Sequence, residues 1–589
     1  MKILGLYDGH NATAVLLEDG KILAAVEEER LSRIKFHDGR YDGPPHACIN
    51  EVFRLTNTHP SEIDMIAIPL LDPISLTARV WGNIAKSKNL HWAFFFANNF
   101  GNWGPLYYFS PFDYQNRRKK NILQLLKDHG LQDKPIFWSE HHMAHCASAY
   151  YTSNLSSDVL AVCFDGKGDG LSGQACLGSE GRLKVLDQTI EYHSIGLLYS
   201  AITEYLGFRP LRHEGKITGL AAFADWNNPA YDILKQYASF NSGAVRLNAI
   251  EKLPVKPYPW LSTRDLLPKI RRDFDGKNIP REQIASAVQK VCEDLIVKYI
   301  SYWINKTGVT DLALSGGVFS NVKINQRIME IPKVSSIFIH PAMGDAGLAA
   351  GAAFLCQASS EGLKPFELTD VYFGMGYSKA EIEHEISKYK GIEYYEPANI
   401  AKETGQMIAD GKVVARFDGR MEYGPRALGN RTIMYDPQDP QVNKWLNDRL
   451  NRTEFMPFAP VALEEHAEEL YFGLEKARYP ARFMTISLDT TPFAKQKAAA
   501  VTHVDGTARP QLIKESYNPT YYRILKAFYS NTGIPCCVNT SFNMHEEPIV
   551  GSPYDAVRSF LMGRLDVLSI GDFMVTMNSN EKRAKRVSE

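Results

Sequence analysis

Two stretches of the sequence repeat one local pattern, in which a buried strand ends in an Asp-Gly loop and further strands follow. In the first stretch, residues 2–7, 12–18 and 21–28 are predicted as three successive strands. In the second stretch, residues 158–164 begin a similar unit, and a weaker strand pair continues to about residue 188. Asp-Gly is also a favoured hairpin turn, so the repetition alone is a weak signal. It favours a duplicated fold.

Helices and strands alternate after the second unit. Residues 281–307 carry apolar side chains at helical spacing and predict a long amphipathic helix. A strand at 310–314 is then followed by a helix from about residue 319, and a strand at 335–340 by an alanine-rich helix that opens at 344–347. This alternation predicts α/β architecture.

The chain has 589 residues, which suggests two to four domains. The composition, 44% hydrophobic and 23% charged, is that of a folded protein. The pattern is interrupted near 357–370 by Ser-Ser-Glu-Gly and Lys-Pro, and we place a domain boundary there. The predicted domains are residues 1–360 and 361–589, the latter ending in a polar, frayed tail.

Charge and hydropathy exclude several functions. The net charge is −1, which argues against a chain that wraps nucleic acid. The apolar run at the start is too short for a signal peptide, and the most apolar later segment, residues 91–100, is too short to span a membrane. The eight cysteines show neither metal-ligand pairs nor a secreted framework, so we expect a cytoplasmic protein.

The segment Glu-His-His-Met-Ala-His at 140–145 has the sharpest chemical signal. On a helix, His141 and His145 share one face and can converge on one metal ion, whereas His142 points about 100° away. Asp165 and Asp345 each follow a predicted strand in a glycine-flanked loop and could supply carboxylate ligands. Such a mixed set suits iron, zinc or manganese. The alternatives are histidines that bond backbone or phosphate, and aspartates that only form turns.

Glycine-rich turns recur at 8–9, 165–170, 315–317 and 344–347. Free backbone N–H groups in such turns can hold phosphate oxygens, so the four turns predict a nucleotide cleft between two related lobes. The sequence contains neither a Walker loop nor a GxGxxG motif that opens a dinucleotide-binding unit.

A second constellation lies in the C-terminal half, where arginines are embedded among glycine, proline and apolar residues. Guanidinium forks combined with hydroxyl groups fit a small dianion such as a phosphate ester or an acyl phosphate. The alternative is a solvated charged face. The arginines of this region are Arg416, Arg420, Arg426 and Arg431, with Arg449, Arg452 and Arg509 further along the chain.

Together these segments resemble the O-carbamoyltransferases of the NodU/CmcH class, whose members decorate nodulation factors, cephamycins, aminoglycosides and ansamycins. The resemblance runs through most of the chain in the family's order. It rests on DGHNA, EEERLSR, EHHMAHCASA, DGKGDG, EGKITGLA, LSGGVFSN and PAMGDAGLAAGAA in the first half, and on GRMEYGPRALGNR, MPFAP, DGTARPQ and NTSFN in the second.

The resemblance implies a fold and a reaction. The N-terminal half would be a duplicated actin/Hsp70-like ATPase fold, similar to the catalytic subunit of tRNA threonylcarbamoyl-adenosine synthesis, and the C-terminal half a YrdC-like α/β domain. The C-terminal domain would form carbamoyl adenylate from carbamoyl phosphate and ATP. The adenylate would pass internally to the N-terminal domain, where a small-molecule hydroxyl acceptor attacks it. Enclosure would protect the mixed anhydride from water.

The resemblance also implies roles for individual residues. The acceptor hydroxyl would lose its proton to His10, with Asp8 beside it. Iron(II) is the metal that the family favours, with Mg²⁺ accompanying ATP. The metal ligands would be His141, His145, Asp165 and Asp345. The nucleotide would lie along Gly166, Gly168, Ser315, Gly316, Gly317 and Asn321. Carbamoyl phosphate would be held by Arg426, Arg452, Arg509 and Ser541.

One segment departs from the family pattern. Where the family carries a lysine just before the Pro-Phe-Ala-Pro run, this chain has Arg449 and Arg452, and arginine is not an equivalent cation at a tight site.

Three functions are alternatives to an O-carbamoyltransferase. They are a tRNA threonylcarbamoyl transferase, which the net charge disfavours, a non-catalytic nucleotide-binding module, and a sugar kinase of related fold. The acceptor is open, and a homo-oligomer is compatible with the sequence.

Overall fold

Two five-stranded sheets with one strand order form the first half of the chain. The computed structural model describes residues 1–86, 104–155, 158–250, 260–450, 458–578 and 585–586. The first sheet comprises β1 Lys2–Tyr7, β2 Thr13–Glu18, β3 Lys21–Glu27, β4 Met65–Pro69 and β5 Ile136–Ser139, in the order β3-β2-β1-β4-β5. The second comprises β6 Val159–Gly168, β7 Leu171–Ser179, β8 Arg182–Ile190, β11 Asp311–Ser315 and β12 Ser336–Ile339, in the order β12-β11-β6-β7-β8. A separate hairpin pairs β9 Ala238–Asn241 with β10 Ala244–Leu247.

In each sheet an antiparallel meander is extended by two strands that run parallel to its first strand. β1 pairs antiparallel with β2 and parallel with β4, and β6 pairs antiparallel with β7 and parallel with β11. The predicted duplication of the N-terminal ATPase-type fold is therefore confirmed. β1 is buried from Ile3 to Tyr7 and β6 from Val159 to Phe164, which explains the continuous apolar sequence of these two stretches.

Helices cover the sheets of the first half. They are α1 Glu29–Ser32, α2 His46–Thr56, α3 Pro73–Lys86, α4 Gly104–Asp128, α5 His141–Tyr151, α6 Ile195–Tyr205, α7 Glu214–Ala221, α8 Pro229–Leu234, α9 Thr263–Phe274, α10 Arg281–Thr307, α11 Val322–Met329 and α12 Leu348–Ser360. The long helix α10 has the bounds predicted for it. The helix predicted from about residue 319 begins at Val322 because a short 3₁₀ turn precedes it and the Asn321 side chain caps it.

Helix α12 packs unusually close to the elements around it. A Cβ on Gly5 of β1 would lie 2.1 Å from the carbonyl oxygen of Ala349, and one on Gly351 would lie 1.9 Å from that of Ala144 in α5. Only glycine fits at these two positions. The alanine-rich sequence of α12 thus lets α5 and β1 approach it closely, and α5 is the helix that carries both predicted metal-ligating histidines.

The second half is built on one mixed sheet of eight strands. They are β14 Ile392–Tyr395, β15 Val414–Phe417, β16 Arg431–Tyr435, β17 Ala459–Leu463, β20 Gln511–Ile513, β21 Cys536–Ser541, β22 Val567–Ile570 and β23 Phe573–Met577, in the order β14-β23-β22-β15-β16-β21-β17-β20. Two short pairs join β13 Tyr389–Lys390 to β24 Lys585–Arg586 and β18 Leu488–Asp489 to β19 Thr507–Ala508. The helices are α13 Lys379–Ile386, α14 Ile400–Ala409, α15 Val442–Arg449, α16 Ala467–Leu470, α17 Leu474–Ala481, α18 Pro492–Lys497, α19 Pro519–Thr532 and α20 Pro553–Met562. This half is α/β, as predicted.

The boundary predicted near 357–370 falls just after α12 ends at Ser360, and the exact division into two domains stays a prediction. The two halves are joined by buried contacts, among them the hydroxyl of Tyr423, which donates to the carbonyl oxygen of Ala346 at 2.6 Å. The apolar segment at 91–100 lies outside the described residues. Within the described residues, none of the helices has the length and apolar character needed to cross a membrane.

Candidate metal centre and anion cavity

Four side chains that are far apart in the sequence meet between the two sheets. His141 and His145 lie one turn apart on α5, Asp165 lies in β6, and Asp345 begins the turn that leads into α12. One ligand atom from each lies within 4.8 Å of the others. The Nε2 atom of His141 is 3.6 Å from Oδ2 of Asp165, and Nε2 of His145 is 3.5 Å from Oδ1 of Asp345. The structure thus brings the four predicted residues together.

Local interactions fix the start of α5. The Glu140 carboxylate caps the helix by accepting from the backbone N–H groups of His142 and Met143, and it pairs with Arg79 at 3.1 Å. A Cβ on Gly168 would lie 2.3 Å from the ring of His141, so the end of β6 contacts the imidazole directly. His142 points to Glu140, with Nδ1 3.5 Å from its carboxylate, and stays outside the group of four.

The electrostatics of the four residues fit a bound cation. Burial opposes a charged imidazole, yet the neighbouring Asp165 and Asp345 raise the pKa of His141 to about 9. Burial likewise opposes a charged Asp165, but the adjacent histidines hold the pKa of this carboxyl well below its usual range. Within the described residues the Nε2 atoms of both histidines are buried without a hydrogen-bond partner. Buried imidazole nitrogens that face carboxylates form a donor set that a divalent cation satisfies.

Tyr7 is a part of this site that the sequence analysis did not identify. It ends β1, and its hydroxyl donates to Oδ2 of Asp345 at 2.8 Å. No periodicity could link the two residues, because 338 positions separate them in the sequence. The next residue, Asp8, is held by Arg118 through an ion pair of 2.5 Å. His10 lies beyond this pair and stacks on Phe36 with ring centroids 5.4 Å apart.

Replacing Tyr7 with phenylalanine tests this contact. The change removes only the hydrogen bond to Asp345, and outer partners of metal ligands typically contribute about 10–100-fold to metal affinity. We expect a loss in that range, measured by competition with a chromophoric chelator. The control is Tyr205→Phe, which removes a hydroxyl that bonds Asp275 in another part of the first half. Equal metal affinity in Tyr7→Phe and the wild type would rule out this role for Tyr7.

The Ser-Gly-Gly turn predicted to lie along a nucleotide also holds the elements of the metal site. The hydroxyl of Ser315 is buried and donates to the carbonyl oxygen of His145 at 2.6 Å. The backbone N–H of Gly317 donates to Oδ1 of Asp165 at 2.9 Å, and Gly316 has φ +92°. The neighbourhood of Gly166, in contrast, is open, since a Cβ there would contact nothing within 4 Å.

A cavity of about 370 Å³ lies between the two halves of the chain. Gly219, Gln289 and Asn321 line it from the first half, and Arg426, His503 and Arg509 line it from the second. Asn321 was predicted to contact the nucleotide, and the two arginines were predicted to contact carbamoyl phosphate. One cavity therefore joins residues of both predicted binding sets.

Arg426 and Arg509 are half-buried cations without a counterion. Neither has a hydrogen-bond or carboxylate partner among the described residues, and the Nε atom of each is buried. Burial lowers the pKa of Arg426 to about 10. Burial and the charge of Arg426 lower the pKa of Arg509 well below its usual range. Two adjacent unpaired guanidinium groups in a cavity are typical of an anion site.

The other arginines near Arg426 do not belong to this site. Arg431 and Arg416 are fully buried, and both donate to backbone carbonyl oxygens, as Arg420 also does. Arg416 additionally pairs with Asp418. The interpretation that all four arginines surround an anion was therefore too broad. Three of them hold the loops together, and Arg426 alone is left for a ligand.

Two residues predicted for carbamoyl phosphate lie apart from the cavity or outside the described structure. The hydroxyl of Ser541, at the end of β21, donates to Oδ1 of Asn543 at 2.6 Å, and Ser541 is not among the residues that line the cavity. Arg452 lies outside the described residues. Arg449, the alternative replacement for the family lysine, ends α15 with Nη1 3.7 Å from Asp566.

A histidine–carboxylate group and a cavity with two unpaired arginines, on a duplicated α/β fold, are the features of an enzyme that binds an anionic substrate. Residues 2–354 match the family model described as carbamoyltransferase N-terminus, and residues 405–577 match that described as carbamoyltransferase C-terminus. The chain belongs to the carbamoyltransferase family, and it is a carbamoyltransferase enzyme.

Relatives match along most of the chain. Nodulation protein NolNO of Sinorhizobium fredii is 33% identical over 96% of this chain and 79% of its own, and nodulation protein U of Rhizobium tropici is 31% identical over 96% and 94%. Among solved structures, HypF of T. kodakarensis has a TM-score of 0.34 at 15% identity, over 61% of this chain and 48% of its own. A structural likeness this weak supports no conclusion about function.

Proposed function

We propose that this carbamoyltransferase moves the carbamoyl group of carbamoyl phosphate, through carbamoyl adenylate made with ATP, to a hydroxyl group of a small natural product. The observation that carries the proposal is the cavity between the halves, in which Asn321 of the first half lies with the unpaired Arg426 and Arg509 of the second. Carbamoyl phosphate held by the two arginines would thus lie next to the first half, to which the adenylate passes.

The proposed chemistry has two stages. In the first, carbamoyl phosphate loses phosphate to water, the resulting carbamate oxygen attacks the α-phosphorus of ATP, and pyrophosphate leaves. Mass balance requires both phosphate and pyrophosphate to be released, because carbamoyl adenylate retains a single phosphorus. Arg426 and Arg509 would neutralise the anion that enters this site. In the second stage, the acceptor oxygen attacks the carbamoyl carbon and AMP leaves.

His141, His145, Asp165 and Asp345 would hold a divalent metal ion. Among the metals that such a mixed ligand set suits, we propose iron(II), the one that the family resemblance implies. A cation bound here would supply Lewis-acid stabilisation of negative charge on a phosphate. The residues around the four position them: Tyr7 holds Asp345, Ser315 holds the helix at His145, and Gly317 holds Asp165.

His10 is the proposed base that takes the proton of the acceptor hydroxyl, because an imidazole ring nitrogen can accept a proton near neutral pH. Its ring is oriented by stacking on Phe36. Asp8, held by Arg118, would fix the loop that carries His10. In this proposal residues 1–360 carry out transfer and residues 361–589 form the adenylate.

His10→Asn separates the two stages. Asparagine keeps a polar side chain of similar size but accepts no proton, so we expect pyrophosphate release to continue at the wild-type rate while carbamoyl transfer falls by about 10²–10⁴-fold, the usual contribution of a general base. Pyrophosphate is measured with a coupled assay and the product by its added carbamoyl mass. His59→Asn, which changes an exposed helix-capping histidine, is the matched control. Equal loss of both stages in His10→Asn would refute the assignment.

The test of the whole proposal is pyrophosphate release from ATP, with and without carbamoyl phosphate, in anaerobic protein loaded with iron(II). Release that depends on carbamoyl phosphate is expected, and it would justify a mass-based screen of hydroxylated acceptors. No release from folded, metal-loaded protein, with or without acceptors present, would overturn the adenylate route.

A further inference from the structure

The segment EEERLSR at 27–33 reaches from the first half into the second and has no part in the chemistry described above. Glu27 ends β3, and Arg30 lies in α1. Oε1 of Glu27 accepts from the backbone N–H of Gly424 at 2.8 Å, and Nη2 of Arg30 donates to the carbonyl oxygen of the same glycine at 2.9 Å. The two side chains, 3.1 Å apart, therefore hold both polar backbone groups of one residue in the other half.

This contact is buried and sterically tight. Glu27 is 4% exposed and Arg30 is 5% exposed, so neither can exchange its partner for water. Gly424 has φ +110°, and a Cβ there would lie 3.1 Å from the carbonyl oxygen of Pro341. The loop thus approaches the first half in a conformation that favours glycine.

The residue held in this way lies two positions before Arg426, one of the two unpaired cations of the cavity. Pro425 stands between them and fixes its own backbone φ angle, so the direction of the chain from Gly424 to Arg426 has little freedom. The same segment also contacts the region of His10, the proposed base. Glu29 pairs with Arg30 at 2.7 Å and accepts from the backbone N–H of Phe36, the residue on which His10 stacks.

We propose that Glu27 and Arg30 are positioning residues for the anion site: by clamping Gly424, they place the Arg426 guanidinium where carbamoyl phosphate binds. The inference rests on the proposed function, since it takes Arg426 as a ligand of carbamoyl phosphate. It extends the proposed function, because a buried ion pair of the first half would determine where a binding residue of the second half lies.

The experiment measures KM for carbamoyl phosphate in the pyrophosphate-release assay, with the full-length metal-loaded protein. Arg30→Met keeps the length of the side chain but removes the guanidinium that donates to Gly424 and pairs with Glu27 and Glu29. We expect KM to rise by about tenfold or more, the effect of losing one well-placed charge-assisted contact, with a smaller change in kcat. Arg30→Lys keeps the charge and a donor and is expected to restore part of the loss. A purely structural role would lower the active fraction, and hence kcat, and would leave KM unchanged.

Arg33→Met is the matched control on the same segment. Arg33 also crosses to the second half, but it donates to the carbonyl oxygens of Pro548 and Ile549 and not to Gly424. We expect its KM for carbamoyl phosphate to equal that of the wild type. If Arg30→Met does not fold, as judged by thermal unfolding, Glu27→Gln takes its place, because it weakens the ion pair and keeps an acceptor for the Gly424 N–H.

Arg426→Met distinguishes failure of this inference from failure of the proposed function. If Arg426→Met leaves KM for carbamoyl phosphate unchanged, the anion site itself is misassigned. If Arg426→Met raises KM while folded Arg30→Met or Glu27→Gln does not, the anion site stands and the clamp is wrong. A KM that rises in all three, with partial rescue by Arg30→Lys, supports the clamp.

Discussion

Alanine in place of His145 is expected to lower metal affinity by at least about 100-fold. Residues that only hydrogen-bond to metal ligands contribute about 10–100-fold, and His145 offers a ligand atom itself. The Nε2 atom of His145 lies 3.5 Å from Asp345 and is fully buried, so its removal leaves a cavity beside the three remaining residues. Metal content per chain after gel filtration, measured by atomic emission, should fall towards zero. Carbamoyl transfer should fall with it.

His142→Gln is the control for this experiment. His142 is also buried on α5, yet its ring points to Glu140 and stays outside the group of four residues. We expect this variant to retain its metal. Loss of metal from both variants to the same extent would show that the effect comes from damage to α5, and metal retained in folded His145→Ala would refute the assignment of His145.

Arg509→Met is expected to lower kcat/KM for carbamoyl phosphate by about 100–10,000-fold in pyrophosphate release. A guanidinium that grips an anion through two hydrogen bonds contributes about 1.5–3 kcal/mol for each, and about 1.4 kcal/mol corresponds to a factor of ten. Methionine keeps the apolar stem of the side chain and removes the charge. Arg523→Met, which removes an exposed arginine paired with Glu515, should leave the assay unchanged.

The same variant should be more stable than the wild type. Arg509 and Arg426 repel each other without a carboxylate between them, and this repulsion is one cause of the lowered pKa of Arg509. Removal of one charge relieves the repulsion, so the midpoint of thermal unfolding should rise as activity is lost. A parallel fall in activity and stability would mean that Arg509 supports the fold and does not bind the anion.

Local patterns in the sequence predicted the elements of the fold and part of the site. The strand units, the helix at Arg281–Thr307 and the four-residue spacing of His141 and His145 depend on neighbours in the chain, which periodicity reports. The resemblance to a family supplied the roles that periodicity could not. Arg426 and Arg509 were selected in this way, and the structure places both in one cavity.

The contacts that could not be predicted are those between distant segments. Asp8 was predicted to act beside His10, and the sequence did not show that Arg118, which is 110 positions away, pairs with it. Arg416 and Arg431 were counted with an anion site because they are embedded among glycine, proline and apolar residues, and only the structure shows that they donate to backbone carbonyl oxygens. Whether an arginine is paired within the protein or left for a ligand depends on how distant segments pack against each other.

The small volume between the two halves has a consequence for selectivity. A single molecule confined in 370 Å³ is at a local concentration on the order of molar, far above any that a released intermediate would reach in the cell. Carbamoyl phosphate held there by Arg426 and Arg509 would face a second ligand in the cavity at that concentration. Selectivity would then be set by which second ligand fits beside it in the right orientation, and little by the concentration of that ligand in the cell.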